Sequence, residues 1–228
     1  IRDRVDPAQQ NTQIDFIIAE HLLGIRSFCI SELIVEGKKA YYYNDAGQKI
    51  QIKRIFNRVI FDELVKRKDL IRSFCLTDEM DVEWAGHPNW FFRISKHTMP
   101  FIKSRFVPDS YFLHELDPIP DDLHNYVLKP LFSFSGMGVI IDPSMDDILK
   151  IEDKHNFILQ KKVEYAPVVQ TPSGSAKCEI RMLMLWERGT ERPVIVNNLA
   201  RLSKGKMVGV KYNKDRTWVG GSVGFFEE

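Results

Sequence analysis

The sequence predicts a mixed α/β and α+β fold, and three observations carry that prediction. In the first half, short β-type apolar runs alternate with helix-type runs, the pattern of a layered α/β arrangement. In the second half, strand-type runs follow one another with Gly, Pro, Asn and Ser turns between them. Where the halves meet, Tyr126-Val127-Leu128-Lys129-Pro130 and Val139-Ile140-Ile141 flank a loop containing Gly136 and Gly138, which reads as strand, loop, strand.

Taken in order, Gln13 to Leu23 predicts a helix. Phe16, Ile17, Leu22 and Leu23 fall roughly on one face, Asn11 or Thr12 serves as cap, and Gly24 ends it. Ile25 to Ile30 reads as a buried strand. Lys39 to Tyr43 and Lys49 to Arg54 flank the turn Asn44-Asp45-Ala46-Gly47, a hairpin signal. Ile55 to Ile60 reads as a strand interrupted by the polar pair Asn57-Arg58, and a charged helix follows from about Asp62 to Phe74. In the stretch His87 to Phe91, His87 and Trp90 read as loop anchors. Ile94 to Arg105 reads as a helix carrying Lys96 and Lys103, kinked or delayed by Pro100.

Val107 to Leu113 returns to extended structure, and the proline-rich, acidic stretch Glu115 to Asp122 reads as a linker or surface loop. After the glycine loop, Pro143 to Lys154 has Met145, Ile148, Leu149 and Ile151 at helical spacing. Phe157 to Gln160, Glu179 to Trp186 and Val194 to Leu202 read as strands. The expected division is residues 1–106, a small α/β domain with a connecting helix, and residues 107–228.

Composition narrows the function classes. A chain of 228 residues with net charge +1 has no global basic field for nucleic acid. No apolar run approaches the ~20 residues of a membrane-spanning helix. Cys29, Cys75 and Cys178 are odd in number and widely spaced, which argues against a disulfide framework or a structural metal site and for a cytoplasmic, reducing location. The chain opens on Ile1 within a charged stretch, so the expectation is that part of the native protein precedes it.

Local chemistry is more informative. Lys129 sits among apolar residues at the end of a strand, where a lysine is uncommon unless it serves an anion. Gly136 and Gly138, with Ser133, Ser135 and Met137, can turn amide and hydroxyl donors toward phosphate oxygens; a plain hairpin turn is compatible with the same residues. Glu179 and Arg181, two apart on a strand, point to one face, and Arg201 on the next strand can join them. That trio is either a phosphate-handling site, since arginine presents a planar fork to oxyanions, or a structural cross-strand ion pair. Asn197 and Asn198 place an amide in an apolar strand, where it needs a partner. Arg58 is a candidate for holding a substrate carboxylate, with a turn into the next helix as the equal alternative.

In this order the pieces resemble the ATP-grasp superfamily, the nucleotide-binding fold of carboxylate-amine ligases such as glutathione synthetase and D-alanine ligase. Ser95-Lys96 before a helix and Val107-Pro108-Asp109-Ser110-Tyr111 look like the family's first lysine and the strand entrance after it. Val127-Leu128-Lys129-Pro130 with Ser135-Gly136-Met137-Gly138-Val139 looks like its second lysine and glycine loop. Ile158-Leu159-Gln160-Lys161-Lys162-Val163-Glu164 looks like its adenine hinge, and Glu179-Ile180-Arg181 with Ala200-Arg201-Leu202-Ser203 looks like its pair of strands facing the reaction. The match runs roughly from Glu83 to Ser203.

The resemblance implies two α+β subdomains gripping ATP, preceded by a small α/β domain. It implies Lys96 and Lys129 on the phosphates, Ser135, Gly136, Met137 and Gly138 as a flap, and Gln160, Lys161, Lys162, Val163 and Glu164 along the adenine and ribose. Glu179 would hold ribose or, with Asn198, Mg²⁺, while Arg181 and Arg201 stabilise the transferring phosphoryl group. The implied activity is ATP-dependent joining of a small carboxylate to an amine through an acyl phosphate; a homo-oligomer is compatible with the sequence, which does not fix the oligomeric state.

The chain departs from the family where a second metal-binding set, an acidic residue two positions before an asparagine, is expected beyond Arg201. It offers instead Lys204-Gly205-Lys206, Asn213, Asp215, Gly220-Gly221 and the terminal Glu227. This leaves three functions to weigh: the ligase, a nucleotide-binding module without catalysis, and a kinase that phosphorylates an alcohol.

Overall fold

The computed structural model describes residues 13–133, 136–209 and 212–226, without the side chains of residues 62, 63 and 66. Asn11, Thr12, Ser135 and Glu227 lie outside the described residues. The described chain is mixed α and β, with short helices and small sheets, and no described helix is long and apolar enough to cross a membrane. It divides into two compact units, Ile1–Lys162 and Val163–Glu228. Position 107, where a boundary is expected, falls inside the first unit.

In the first unit, helix α1 (Gln13–Leu23) has the expected bounds, and Gly24 at φ +63° ends it by donating its N–H to the Glu20 carbonyl at 3.0 Å. On its apolar face, Ile17, Leu22 and Leu23 are exposed and Phe16 is half-buried. Ile25 to Ile30 is not a strand. The Glu32 carboxylate accepts the Cys29 N–H and draws the chain into a 3-10 turn at Ile30–Glu32, diverting that amide from any ladder. Strands β1 (Ile34–Glu36), β2 (Lys39–Tyr43) and β3 (Lys49–Ile52) form an antiparallel meander with the expected Asn44 to Gly47 turn.

Strand β4 (Arg54–Phe56) pairs in parallel with β5 (Glu83–Ala85). It stops four residues short of the expected end because the Asn57 side-chain oxygen accepts the Val59 N–H at 3.1 Å, a local turn competing with the ladder. Helix α2 (Phe61–Lys66) is likewise shorter than expected. Ile30, Leu33, Ala40, Ile52, Ile55 and Phe74 are among the residues that close one core around these elements.

A second core of the same unit forms on an antiparallel sheet of β6 (Ser110–Phe112), β7 (Tyr126–Pro130), β8 (Ile140–Ile141) and β9 (Phe157–Lys161), in the order β6-β9-β7-β8. Cross-strand partners share a face. Tyr111, Leu159, Leu128 and Ile140 form one row, packed with Leu113, Leu123 and Ile148 into the core. Fully burying Leu128, Leu159 and Ile148 contributes about 1.5–3 kcal/mol each. Ile148 comes from α4 (Met145–Leu149), whose start is fixed by a reciprocal Ser144 and Asp147 cap and which ends sooner than the spacing predicts. Leu116 and Ile119 of the expected linker pack against this core, so that stretch is a packed loop.

Helix α3 (Trp90–Arg93) is followed by a 3-10 segment, Lys96–Phe101, in place of the expected α-helix over 94–105. Ser95 caps the His97 N–H at 3.3 Å, and Pro100 has no N–H to continue an α pattern. Met99 of this segment packs on Phe112, Leu131 and Ile158, the opposite face of the β6-β9-β7-β8 sheet.

The second unit is a sheet of β10 (Lys177–Leu185), β11 (Val194–Ser203) and β12 (Gly220–Ser222), all antiparallel. Strand β12 has no counterpart in the sequence expectation, because Gly-Gly-Ser has poor intrinsic strand preference. Ala176 and Ala200 are buried here, with Ser203 and Asn213. Asn213 acts as a latch: its carbonyl oxygen accepts the N–H groups of Lys204 (2.8 Å) and Gly205 (3.0 Å), and its amide donates to the Gly209 carbonyl (2.7 Å).

Candidate functional site

In the first unit, sheet geometry concentrates polar groups on the face opposite the Leu128 core. Ser110, Gln160 and Val127 are cross-strand partners in one row, and Lys129, Ile158 and Phe112 form the next. Lys129 donates from Nζ to Gln160 Oε1, and Gln160 Nε2 donates to Ser110 Oγ at 2.8 Å. Ser110 Oγ in turn donates to the Pro108 carbonyl at 3.2 Å. Gln160 and Ser110 are 4% and 2% exposed, so the chain of donors is sheltered and its direction is set: the amide presents its oxygen to the ammonium.

Lys96 reaches the end of the same face. Its Nζ donates to the Ser133 carbonyl at 3.0 Å and to Ser133 Oγ at 2.9 Å. Burial first, and then the positive charge of Lys96, push the Lys129 ammonium below the ordinary lysine value of 10.5. The influences on Lys129 include no carboxylate, so two cations converge without an acidic group among the described residues to offset Lys129.

The glycine loop begins directly after this strand. Gly136 and Gly138 have φ of +79° and +69°, and the Val139 N–H donates to the Gly136 carbonyl at 3.3 Å. A Cβ at Gly138 would lie 2.8 Å from Pro130 Cγ, so the loop folds tightly over the end of β7. Met137 between the glycines is exposed.

The expected hinge divides. Gln160 faces the lysines, whereas Lys161 is the partner of Tyr126 and therefore lies on the other face, where it pairs with Asp109 at 3.3 Å. The backbone N–H of Lys161 is bonded to the Asp109 carbonyl and that of Lys162 to the Asn125 carbonyl, each at 2.8 Å. The Lys162 side chain holds Asp142 and the His124 carbonyl. Val163 and Glu164 belong to the second unit and are exposed. Arg58 is engaged by α1, pairing with Asp15 at 3.4 Å and lying over the Phe16 ring at 5.3 Å. His87 does anchor its loop, accepting the Asn89 N–H at Nδ1, but Trp90 starts α3 and is exposed.

In the second unit, Glu179 and Arg201 are direct cross-strand partners and Arg181 joins them on the same face. Glu179 Oε1 accepts from Arg201 at 3.0 Å and from Arg181 at 3.5 Å, and Glu179 Oε2 accepts from the Tyr165 hydroxyl at 3.4 Å. Burial, followed by the Glu179 charge, raises the Tyr165 hydroxyl above its usual value. Arg201 also donates to the Val208 carbonyl at 3.0 Å.

Asn198 is the partner of Met182, so it projects from the opposite face to Glu179. Its amide is closed on Gly224, accepting that N–H at 2.6 Å and donating to that carbonyl at 2.9 Å. The pair expected to hold Mg²⁺ is therefore separated by the sheet, and its carboxylate is already neutralised by arginines. No group of three or more His, Cys, Asp or Glu suited to a metal occurs among the described residues. This donor set does not fit a protein-held magnesium site. A signal for the Asn213 latch was present in the polar, glycine-flanked run after Ser203, but its role needs contacts across ten residues.

Neither a protein-family model nor a curated protein sequence matches the chain.

Proposed function

We propose that the chain binds the phosphates of ATP with Lys96, Lys129 and the Gly136 to Gly138 loop, and uses it to activate a small carboxylate for attack by an amine, as an ATP-grasp ligase does. The observation that carries this reading is the convergence of Lys96 and Lys129 at the end of β7, beside a loop whose backbone turns on two glycines. A lysine held by a neutral amide keeps its full charge for an anion. Polyphosphate is the common biological ligand with enough charge to reward two such cations.

In this reading a carboxylate oxygen attacks the γ-phosphorus, ADP leaves, and the amine then displaces phosphate from the acyl phosphate. Within the second unit, Glu179 holds the forks of Arg181 and Arg201 in place, an arrangement suited to stabilising charge on a phosphoryl group. Magnesium would enter with the nucleotide, and the chain's own part in catalysis rests on its cations. The test is ADP release by the full chain with ATP and a panel of acids, with hydroxylamine present to trap acyl phosphate as hydroxamate. Acid-dependent ADP and hydroxamate support the ligase, whereas a stable phosphorylated alcohol would point to the kinase instead.

One observation favours a second reading, a nucleotide-binding module without phosphoryl transfer. Glu179 is committed to two arginines and Asn198 to Gly224, which leaves the implied metal pair unassembled. ATP binding with no turnover on the same panel would select this reading.

A further inference from the structure

The second unit contains a cavity of about 310 Å³ that shares only Arg201 with the residues assigned to phosphoryl transfer. Leu199, Val208 and Val219 supply apolar walls, and Gly220 and Gly221 supply a wall of bare backbone. Among the described residues, two cations reach it, Arg201 and Lys214, and no carboxylate lines it. The volume is at the small end of the range for ligand pockets, about 300–1,000 Å³.

The cavity is built by the local chemistry. Asn213 holds residues 203–209 in a fixed loop through Lys204, Gly205 and Gly209, and Arg201 ties Val208 to the sheet. Gly221 pairs with Arg201 across β11 and β12, and a Cβ there would lie 3.2 Å from Cδ1 of Leu199, another lining residue. Gly220 has φ +134°, a conformation side chains rarely adopt.

The two cations differ in what they can do. Arg201 is already paired with Glu179. Lys214 makes no hydrogen bond or ion pair among the described residues, and its charge is available at a pocket whose other walls are mainly apolar, apart from Arg201 and Asn213. An anion that brings one charge and an apolar body satisfies both features. A dianion or a polyol would leave polar groups against Leu199 and Val219, which costs more than the cations return.

We propose that this cavity binds a small monocarboxylic acid with a compact apolar body, its charge met by Lys214 and Arg201 and its body by Leu199, Val208 and Val219. The binding rests only on the second unit, so it stands or falls separately from the ligase reading.

The test is calorimetric titration of the full chain, without nucleotide, with 3-methylbutanoate, 3-methylbutanamide, succinate and inorganic phosphate. The monocarboxylate binds, and the amide and succinate bind at least about tenfold more weakly. Gly221→Ala narrows the cavity and Lys214→Gln removes its unpaired charge, and each weakens 3-methylbutanoate about tenfold while the thermal melt shows the fold retained. Lys129→Ala leaves acid binding intact, which separates this site from the nucleotide site. Equal binding of the amide, tighter binding of phosphate, or affinity unchanged in both Gly221→Ala and Lys214→Gln would overturn the proposal.

Discussion

Lys129 and Gln160 lie on neighbouring strands of one sheet, and the lysine ammonium is held by a neutral amide where a carboxylate would have quenched its charge. The amide is itself fixed by Ser110, so its oxygen faces the lysine. This relationship explains how a partly sheltered cation can be ordered and still be available to an anion.

Exchanging Gln160 for other side chains separates order from charge. Gln160→Leu leaves Lys129 and the buried Ser110 hydroxyl without their partner, and urea denaturation should register a loss of about 1–3 kcal/mol. Gln160→Glu instead pairs with Lys129, keeps it ordered and reduces affinity for nucleotide. If Gln160→Glu bound ATP as well as the wild type, the anion role of Lys129 would be in error.

The pH dependence of Lys129 has a definite sign. Its folded pKa is lowered by burial and by Lys96, so at alkaline pH the unfolded chain binds more protons than the folded one. The penalty on the buried ammonium is fully present below the folded value and is relieved as pH rises through the window up to the unfolded value of 10.5. Stability of the wild type relative to Lys129→Met therefore rises with pH across that window, as urea midpoints would record. An anion bound at Lys129 raises its pKa, so in the same window nucleotide binding takes up protons, measurable as a buffer-dependent binding enthalpy.

Gly138 meets two demands at once, a φ of +69° and contact with Pro130. Gly138→Ala should cost about 1–2 kcal/mol from backbone strain alone, with nucleotide affinity falling as the loop moves. Unchanged stability and affinity would show that the loop tolerates a different path.

Legibility in the sequence followed the range of the interactions. The α1 bounds, the Asn44 to Gly47 hairpin and the strand, loop, strand around Lys129 rest on local chemistry and are present as read. Ile25 to Ile30 looked like a strand because its apolar run carries no sign that Glu32 will fold back onto the Cys29 amide. The length of the 94–105 helix was misread because Pro100 and the Ser95 cap together favour the tighter 3-10 path. Period-2 spacing placed Glu179, Arg181 and Arg201 on one face correctly. It could not place Asn198 relative to them without the cross-strand register, and that register puts the amide on the other side. The Ser110, Gln160 and Lys129 chain joins residues up to 50 apart and has no local signature.

In the second unit, the Glu179 and Arg201 pair is half-buried, with side-chain exposures of 27% and 24%. Arg201→Ala removes the nearer cation from the Glu179 carboxylate and the tie to Val208, and should cost about 1–3 kcal/mol, between the values for exposed and buried pairs. Chemical denaturation measures this directly. A cost near zero would mean that Arg181 and solvent already hold the carboxylate.

The central claim is that Lys129 marks a polyphosphate site, and the most direct measurement is calorimetric binding of a non-hydrolysable ATP analogue to the full wild-type chain and to Lys129→Ala. Saturable binding to the wild type is expected, with a loss of tenfold or more, about 1.4 kcal/mol, in the variant with its fold intact. Binding of the same strength to both proteins, or none to the wild type at millimolar analogue, would contradict it.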